Sequence, residues 1–251
     1  MLLALLLLLQ DATPQADALK KLSEAKSYSF VLDTAVEKNR QVILGGVEKA
    51  LLVAEIEKGA RMARHGPRAL FLSDSVWRTI SDAAFERRVR HQEPTNDLER
   101  LAIVRAPHEE FAAAVAAVKD FKEQRYFEEV NGTDCVAWSG TVPADIALAL
   151  AKAGVASDPP RVTSTEAPGA TPDPWKAAEV PKTSTPDVKD AKGKLKFCVR
   201  DSDGVPMRLA YVITARVDRV TRTFTRVVTL AEIGTAKLDV PDEVKKRLGI
   251  K

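Results

Sequence analysis

The side chains of this sequence that could do chemistry are three histidines, two cysteines and several close-set acids and arginines. His65, His91 and His108 stand at no metal-ligand spacing and fall on different segments. The acid pairs Glu109-Glu110 and Glu128-Glu129 are immediate neighbours. The first pair follows Pro107 at the start of a helical pattern, where the helix dipole explains it better than acid–base work. Asp201-Ser202-Asp203-Gly204 opens like a calcium loop but lacks the third acidic position and the distant Glu, so it reads as a tight turn. No Gly-x-Ser-x-Gly elbow and no Gly-rich phosphate loop occurs. Asn131-Gly132-Thr133 has the form of a glycosylation acceptor, but a hairpin turn accounts for the same residues. Arg216, Arg219, Arg222 and Arg226 crowd one hairpin, and Arg87, Arg88 and Arg90 crowd a loop. They could meet an anionic headgroup or an acidic partner, but guards on solvated edges and strand faces are the simpler reading, and the interleaved aromatics of a nucleic-acid groove are missing. The expectation is a protein with no catalytic residues, no metal, no cofactor and no nucleic-acid partner.

The remaining reactive pair is Cys135 and Cys198, and its reading depends on the compartment. Leu2 to Leu9 is an unbroken run of Leu and Ala, followed by the polar, Ala-containing stretch QDATPQADA. A spanning helix needs about 20 such residues, so the run is too short to cross a bilayer. It fits the apolar heart of a secretion signal, with residues 1–16 removed and a mature start between Ala12 and Ala18. No Lys or Arg precedes it, so the initiator amine supplies the positive end or the start lies upstream. No Cys follows for lipid attachment, and no second long apolar run occurs, so the cleaved product is not transmembrane. The expected location is the periplasm or cell envelope. There a lone cysteine pair can form a disulfide, whereas in the cytosol it would be two buried thiols. The exported reading predicts a Cys135–Cys198 bridge across a long loop.

The elements that must position these residues follow from hydrophobic period. ADALKKLSEAK turns Leu19, Leu22 and Ala25 to one side of a short helix. At SYSFVLDTAVE the period becomes two, with Tyr28, Phe30, Leu32 and Val36 on one face. Short strand-like segments continue to VWRTIS, separated by turn residues, and their spacing permits only antiparallel neighbours. Two helices interrupt the meander: APHEEFAAAVAAVKDF, with Phe111, Val115 and Val118 as its stripe, and VPADIALALAKAG. The second is apolar all round from Ile146 to Ala151, which suits a helix enclosed on most sides. Between them Asn131-Gly132 is the strongest hairpin signal in the chain. Residues 156–192 are dense in Pro, Ser, Thr and mixed charge, with Trp175 among them, and read as a disordered insertion. Strands resume at KLKFCVR, and Pro241 opens a short terminal helix ending near Gly249. With 38 Lys+Arg against 35 Asp+Glu, the balance of +3 demands no polyanionic partner. One interrupted domain, 17–155 continued by 193–251, is simpler than two.

This pattern suggests an α+β fold, a curved antiparallel meander sheet covered by helices. ALKKLSEAKSYSFVLDTAVE, DSDGVPMRLAY and LAEIGTAKLDVPDEVKK resemble the superfamily of bacterial envelope proteins typified by the lipoprotein carrier LolA, with LppX/LprG lipoproteins and RseB-type regulators. The resemblance covers most of the chain outside the insertion and implies an incomplete antiparallel β-barrel whose concave face holds acyl chains under helical lids. The expected floor is Phe30, Leu32, Trp77, Leu209 and Tyr211; the expected lid is Phe111, Val115, Ile146 and Leu150. The implied partner is a lipid or lipoprotein acyl chain. The alternative is an envelope sensor or protein-interaction domain whose core is filled and whose partner is another envelope protein.

Overall fold

Alternation in the first strand sets the architecture. Tyr28, Phe30, Leu32 and Val36 are all buried, while the residues between them are half-covered or exposed at most positions. The computed structural model describes residues 13–56, 60–73, 75–79, 101, 104–118, 120–157 and 187–250. The apolar leader run, Arg87, Arg88, Arg90, His91 and the bulk of the Pro-rich segment with Trp175 lie outside them.

Among the described residues the strands are β1 (Ser27–Val36), β2 (Asn39–Glu48), β3 (Leu51–Ile56), β4 (Arg61–His65), β5 (Arg68–Ser73), β6 (Val76–Thr79), β7 (Lys122–Val130), β8 (Thr133–Val142), β9 (Val188–Arg200), β10 (Pro206–Val217) and β11 (Val220–Ala231). They form one antiparallel sheet in the order β6-β5-β4-β3-β2-β1-β11-β10-β9-β8-β7. Among the described residues β6 and β7 are its two edges, and the sheet is not closed into a barrel. Two meanders meet where β1 pairs with β11, joining the start of the chain to its end. The Asn131-Gly132 turn forms as expected, with φ of 53° and 72° at its two residues.

Among the described residues four helices pack on this sheet: α1 (Pro14–Glu24), α2 (Pro107–Ala117), α3 (Ala144–Ser157) and α4 (Asp242–Leu248). Residues of α1, α2 and α3 share one core cluster with the even-numbered face of β1, including Ala18, Leu22, Phe111, Ala114, Val115, Ala147 and Ala151. α4 lies on the other side, where Val244 and Leu248 join Leu51, Val53, Ala63 and Leu70. The sheet is therefore covered on one face by three helices and, under β3–β5, on the other by one.

Two boundaries differ from the sequence reading. α1 begins at Pro14, and Thr13 caps it by accepting a 3.2 Å bond from the Ala16 amide, so the folded chain starts before residue 17. β9 begins at Val188, five residues inside the expected insertion. Val188 and Ala191 are buried there, and β10 supplies the partners that the polar composition of VKDAKG concealed.

Candidate functional site

Cross-strand register arranges the helix-covered face in transverse rows. One row runs Ile43, Leu32, Val228, Leu209, Phe197 and Trp138 across β2, β1, β11, β10, β9 and β8. A second apolar row runs Val36, Phe224, Ile213, Gly193 and Val142. Gly193 is flat because the Ile213 and Val142 side chains lie across it, and a Cβ would collide with both.

Between these rows lies a third of different character: Gln41, Thr34, Arg226, Tyr211, Leu195 and Gly140. Arg226 shares its face with Phe224, Val228 and Leu230, all buried. Its guanidinium makes a two-pronged bond to Glu110 of α2, 2.7 Å from Nε to Oε1 and 2.8 Å from Nη2 to Oε2. Nη1 also reaches Thr34 Oγ1 at 3.4 Å. The Glu110 side chain is only 13% exposed and that of Arg226 30%. Burial works against the charged guanidinium, but the hydrogen bonds and charge of Glu110 hold it above its ordinary value. Burial, with Glu110 nearby, pushes the Tyr211 phenol well above its usual range, so it remains a protonated donor.

α2 is pinned at two further points. Tyr28 Oη lies 2.6 Å from His108 Nδ1 and accepts a 3.3 Å bond from the His108 amide. Burial depresses His108, against the opposing pull of Glu109, which favours the neutral ring. Phe111 meets Phe197 edge to face with centroids 5.9 Å apart, a geometry that contributes about 0.5–1.5 kcal/mol beyond area burial.

Eight of the nine residues expected at the site come together. Phe30, Leu32, Phe111, Val115, Leu209 and Tyr211 are buried in the shared cluster, and Ile146 and Leu150 pack against it half-covered. Trp77 does not join them. It sits opposite Leu72 across β5 and β6 and packs with Leu70 and α4 on the reverse face, because the Phe71 register belongs to the helix-covered side. α3 also departs from expectation. Among its described side chains Ala147 and Ala151 are the ones fully buried, while Ile146, Leu148 and Leu150 remain partly exposed, so the apolar stretch Ile146–Ala151 is buried along one side and half-covered elsewhere.

The expected disulfide is not formed: Cys135 and Cys198 are free, buried thiols. Cys198 faces Ala137 and Cys135 faces Arg200, so the pair is offset by two residues along the β8–β9 ladder. Such diagonal positions stand about 7–8 Å apart, beyond ordinary disulfide reach. Burial, followed by the adjoining Glu128 carboxylate, pushes the Cys198 thiol up to about 12.

Gln41 is a residue of this row that the sequence reading does not single out, and the sequence pattern assigns Arg226 to a guarded edge and Glu110 to the helix dipole. The signal was present in β11, where Arg226 occupies the apolar register of Phe224, Val228 and Leu230.

Among solved structures the chain is similar to the Mycobacterium tuberculosis lipoprotein LppX at 10% identity, covering 92% of this chain and 100% of that one with a TM-score of 0.43. It is similar to LprF from Mycobacterium bovis at 12% identity, with coverage of 91% and 94% and a TM-score of 0.41. It also resembles MucB, solved in complex with MucA(peri), at 8% identity, covering 93% of this chain and 59% of that one with a TM-score of 0.31. No family model and no curated protein sequence matches the chain.

Proposed function

We propose that this chain is a non-enzymatic cell-envelope protein that binds a lipid or lipoprotein acyl chain between the sheet and the helices covering it. The observation that carries this reading is α3. Its Ile146, Leu148 and Leu150 are left half-covered beside an apolar sheet face, although a stretch apolar on all sides, as from Ile146 to Ala151, is ordinarily buried. An acyl chain is the simplest occupant that completes such an enclosure. Among the described residues no helix is long and apolar enough to cross a membrane, so the apolar surface of α3 is not a span.

A second reading is favoured by a specific contact. Phe111, Phe197 and Leu209 are wholly inaccessible, so α2 closes tightly on β9 and β10. A closed core of this kind suits an interaction domain without a small ligand. The two readings separate in one experiment on the purified full chain. A fluorescent fatty-acid analogue should bind saturably and be displaced by unlabelled fatty acid, with the ligand raising the melting temperature. Absence of binding, together with a loss of about 1–3 kcal/mol in Ala114→Leu, would establish a filled core and leave the interaction reading.

A further inference from the structure

We infer that the Arg226 row receives the anionic head, a carboxylate or phosphate, of the amphiphile whose chain lies along the neighbouring apolar rows, and that Glu110 holds the place of that head in the closed protein. The inference rests on the acyl-chain reading above and adds a ligand class to it.

Several features of the row converge on this assignment. An ion pair set into an apolar face is poor value for stability, since well-packed apolar residues of similar volume do as well or better. Here the pair is flanked on both sides by rows of Leu, Val, Phe and Ile. The row is also rich in groups that can donate: the Arg226 fork, bonded to Glu110, shares it with the Tyr211 and Thr34 hydroxyls and the Gln41 amide. Gln41 Nε2 is buried and has no hydrogen-bond partner among the described residues, one register position from Thr34. A buried donor without an acceptor is destabilising, and an incoming oxyanion supplies that acceptor. Planar, two-pronged recognition of carboxylate or phosphate is what guanidinium does best. The competing carboxylate sits in the first turn of α2, and it leaves the row when that helix shifts to admit a chain.

The test is competition against a fluorescent fatty-acid analogue by hexadecanoic acid, hexadecyl phosphate and hexadecanol, which share one chain and differ in the head. The wild-type chain should prefer the acid or the phosphate over the alcohol by about tenfold or more, the scale of one charge-assisted pair of hydrogen bonds. Which of the two anions wins identifies the head. Glu110→Gln should tighten anion binding, because the internal competitor is neutralised. The double variant Glu110→Gln/Arg226→Gln removes both charges together, and it should keep hexadecanol affinity while losing the preference. Arg226→Lys, which keeps the charge without the fork, serves as a second variant should the double one fail to fold, and should weaken the preference. Equal binding of all three heads by the wild type would overturn this inference and leave the acyl-chain reading intact. Preference that survives in the double variant would also overturn it. Binding of none of the three would overturn both.

Discussion

At Glu128 side chains from two other strands converge on one carboxylate. It reaches from β7 over the small Cys135 and Ala137 of β8 to Lys196 of β9, and its Oε1 accepts a 2.9 Å bond from Arg208 Nη1 of β10. Cys198 Sγ adds a weak donor at 3.5 Å. Burial alone would raise the Glu128 pKa. The hydrogen bond and charge of Lys196, helped by Cys198 and Arg208, more than offset this and hold it below the ordinary carboxylate range. A carboxylate depressed in the folded state contributes stability that is present above its unfolded pKa and is lost as pH falls through the folded value. Glu128→Gln should therefore cost about 1–2 kcal/mol at pH 7, a figure reduced for the partial exposure of its partners. The difference should shrink toward zero at a second pH below that folded value, where wild type also carries a neutral acid. Urea unfolding of both proteins at the two pH values measures it; a penalty independent of pH would show that shape rather than charge holds the site. This convergence was invisible in the sequence, which placed Glu128 beside Glu129 and far from Lys196 and Arg208.

Elements were more legible than sites. β1 announced its buried face through strict alternation, and α4 was marked by Pro241, early acids and Gly249, which takes the left-handed conformation at φ 78°. Glycines inside strands carry a subtler message. Phe30 pairs with Gly45 across β1 and β2, and its ring lies over the bare backbone there, so a Cβ at Gly45 would strike both that ring and the Val53 carbonyl. Gly45→Ala should destabilise by about 1–3 kcal/mol, the usual cost of overpacking. Gly132→Ala is the control: nothing lies within 4 Å, and only its φ of 72° resists a side chain, for about 1 kcal/mol. Thermal melts of the pair should rank Gly45 as the more costly site. The reverse order would mean that the Phe30 ring moves aside easily and that this part of the face is soft. α3 shows the limit of pattern at this scale. Its composition specified an apolar helix, yet how much of it is enclosed depends on which strands come to lie beneath it.

On the scale of the molecule, the sheet tolerates interruption because its pairings do not depend on chain continuity. β8 and β9 are hydrogen-bonded neighbours although α3 and a long connection separate them. Loop-closure cost rises only as the logarithm of length. Replacing residues 158–186 by a short Gly/Ser linker should therefore leave the melting temperature within a few degrees of wild type, a change of less than about 1 kcal/mol. A larger fall would show that the segment packs on the body, and Trp175→Ala in the intact chain would then reproduce it.

The sequence by itself determined the class of the fold, the inward face of β1, the hairpin at Asn131, the helical segments and most of the residues that meet on the helix-covered face. These follow from local period and turn chemistry, which act over a few residues. Tertiary structure alone decided that Trp77 faces α4 and that Cys135 and Cys198 stand one diagonal apart. It also decided that Arg226 meets Glu110 across 116 residues of chain. Each of these depends on strand register, and a shift of one residue in pairing sends a side chain to the opposite face. That register is set by packing among segments distant in sequence, where no local pattern reaches.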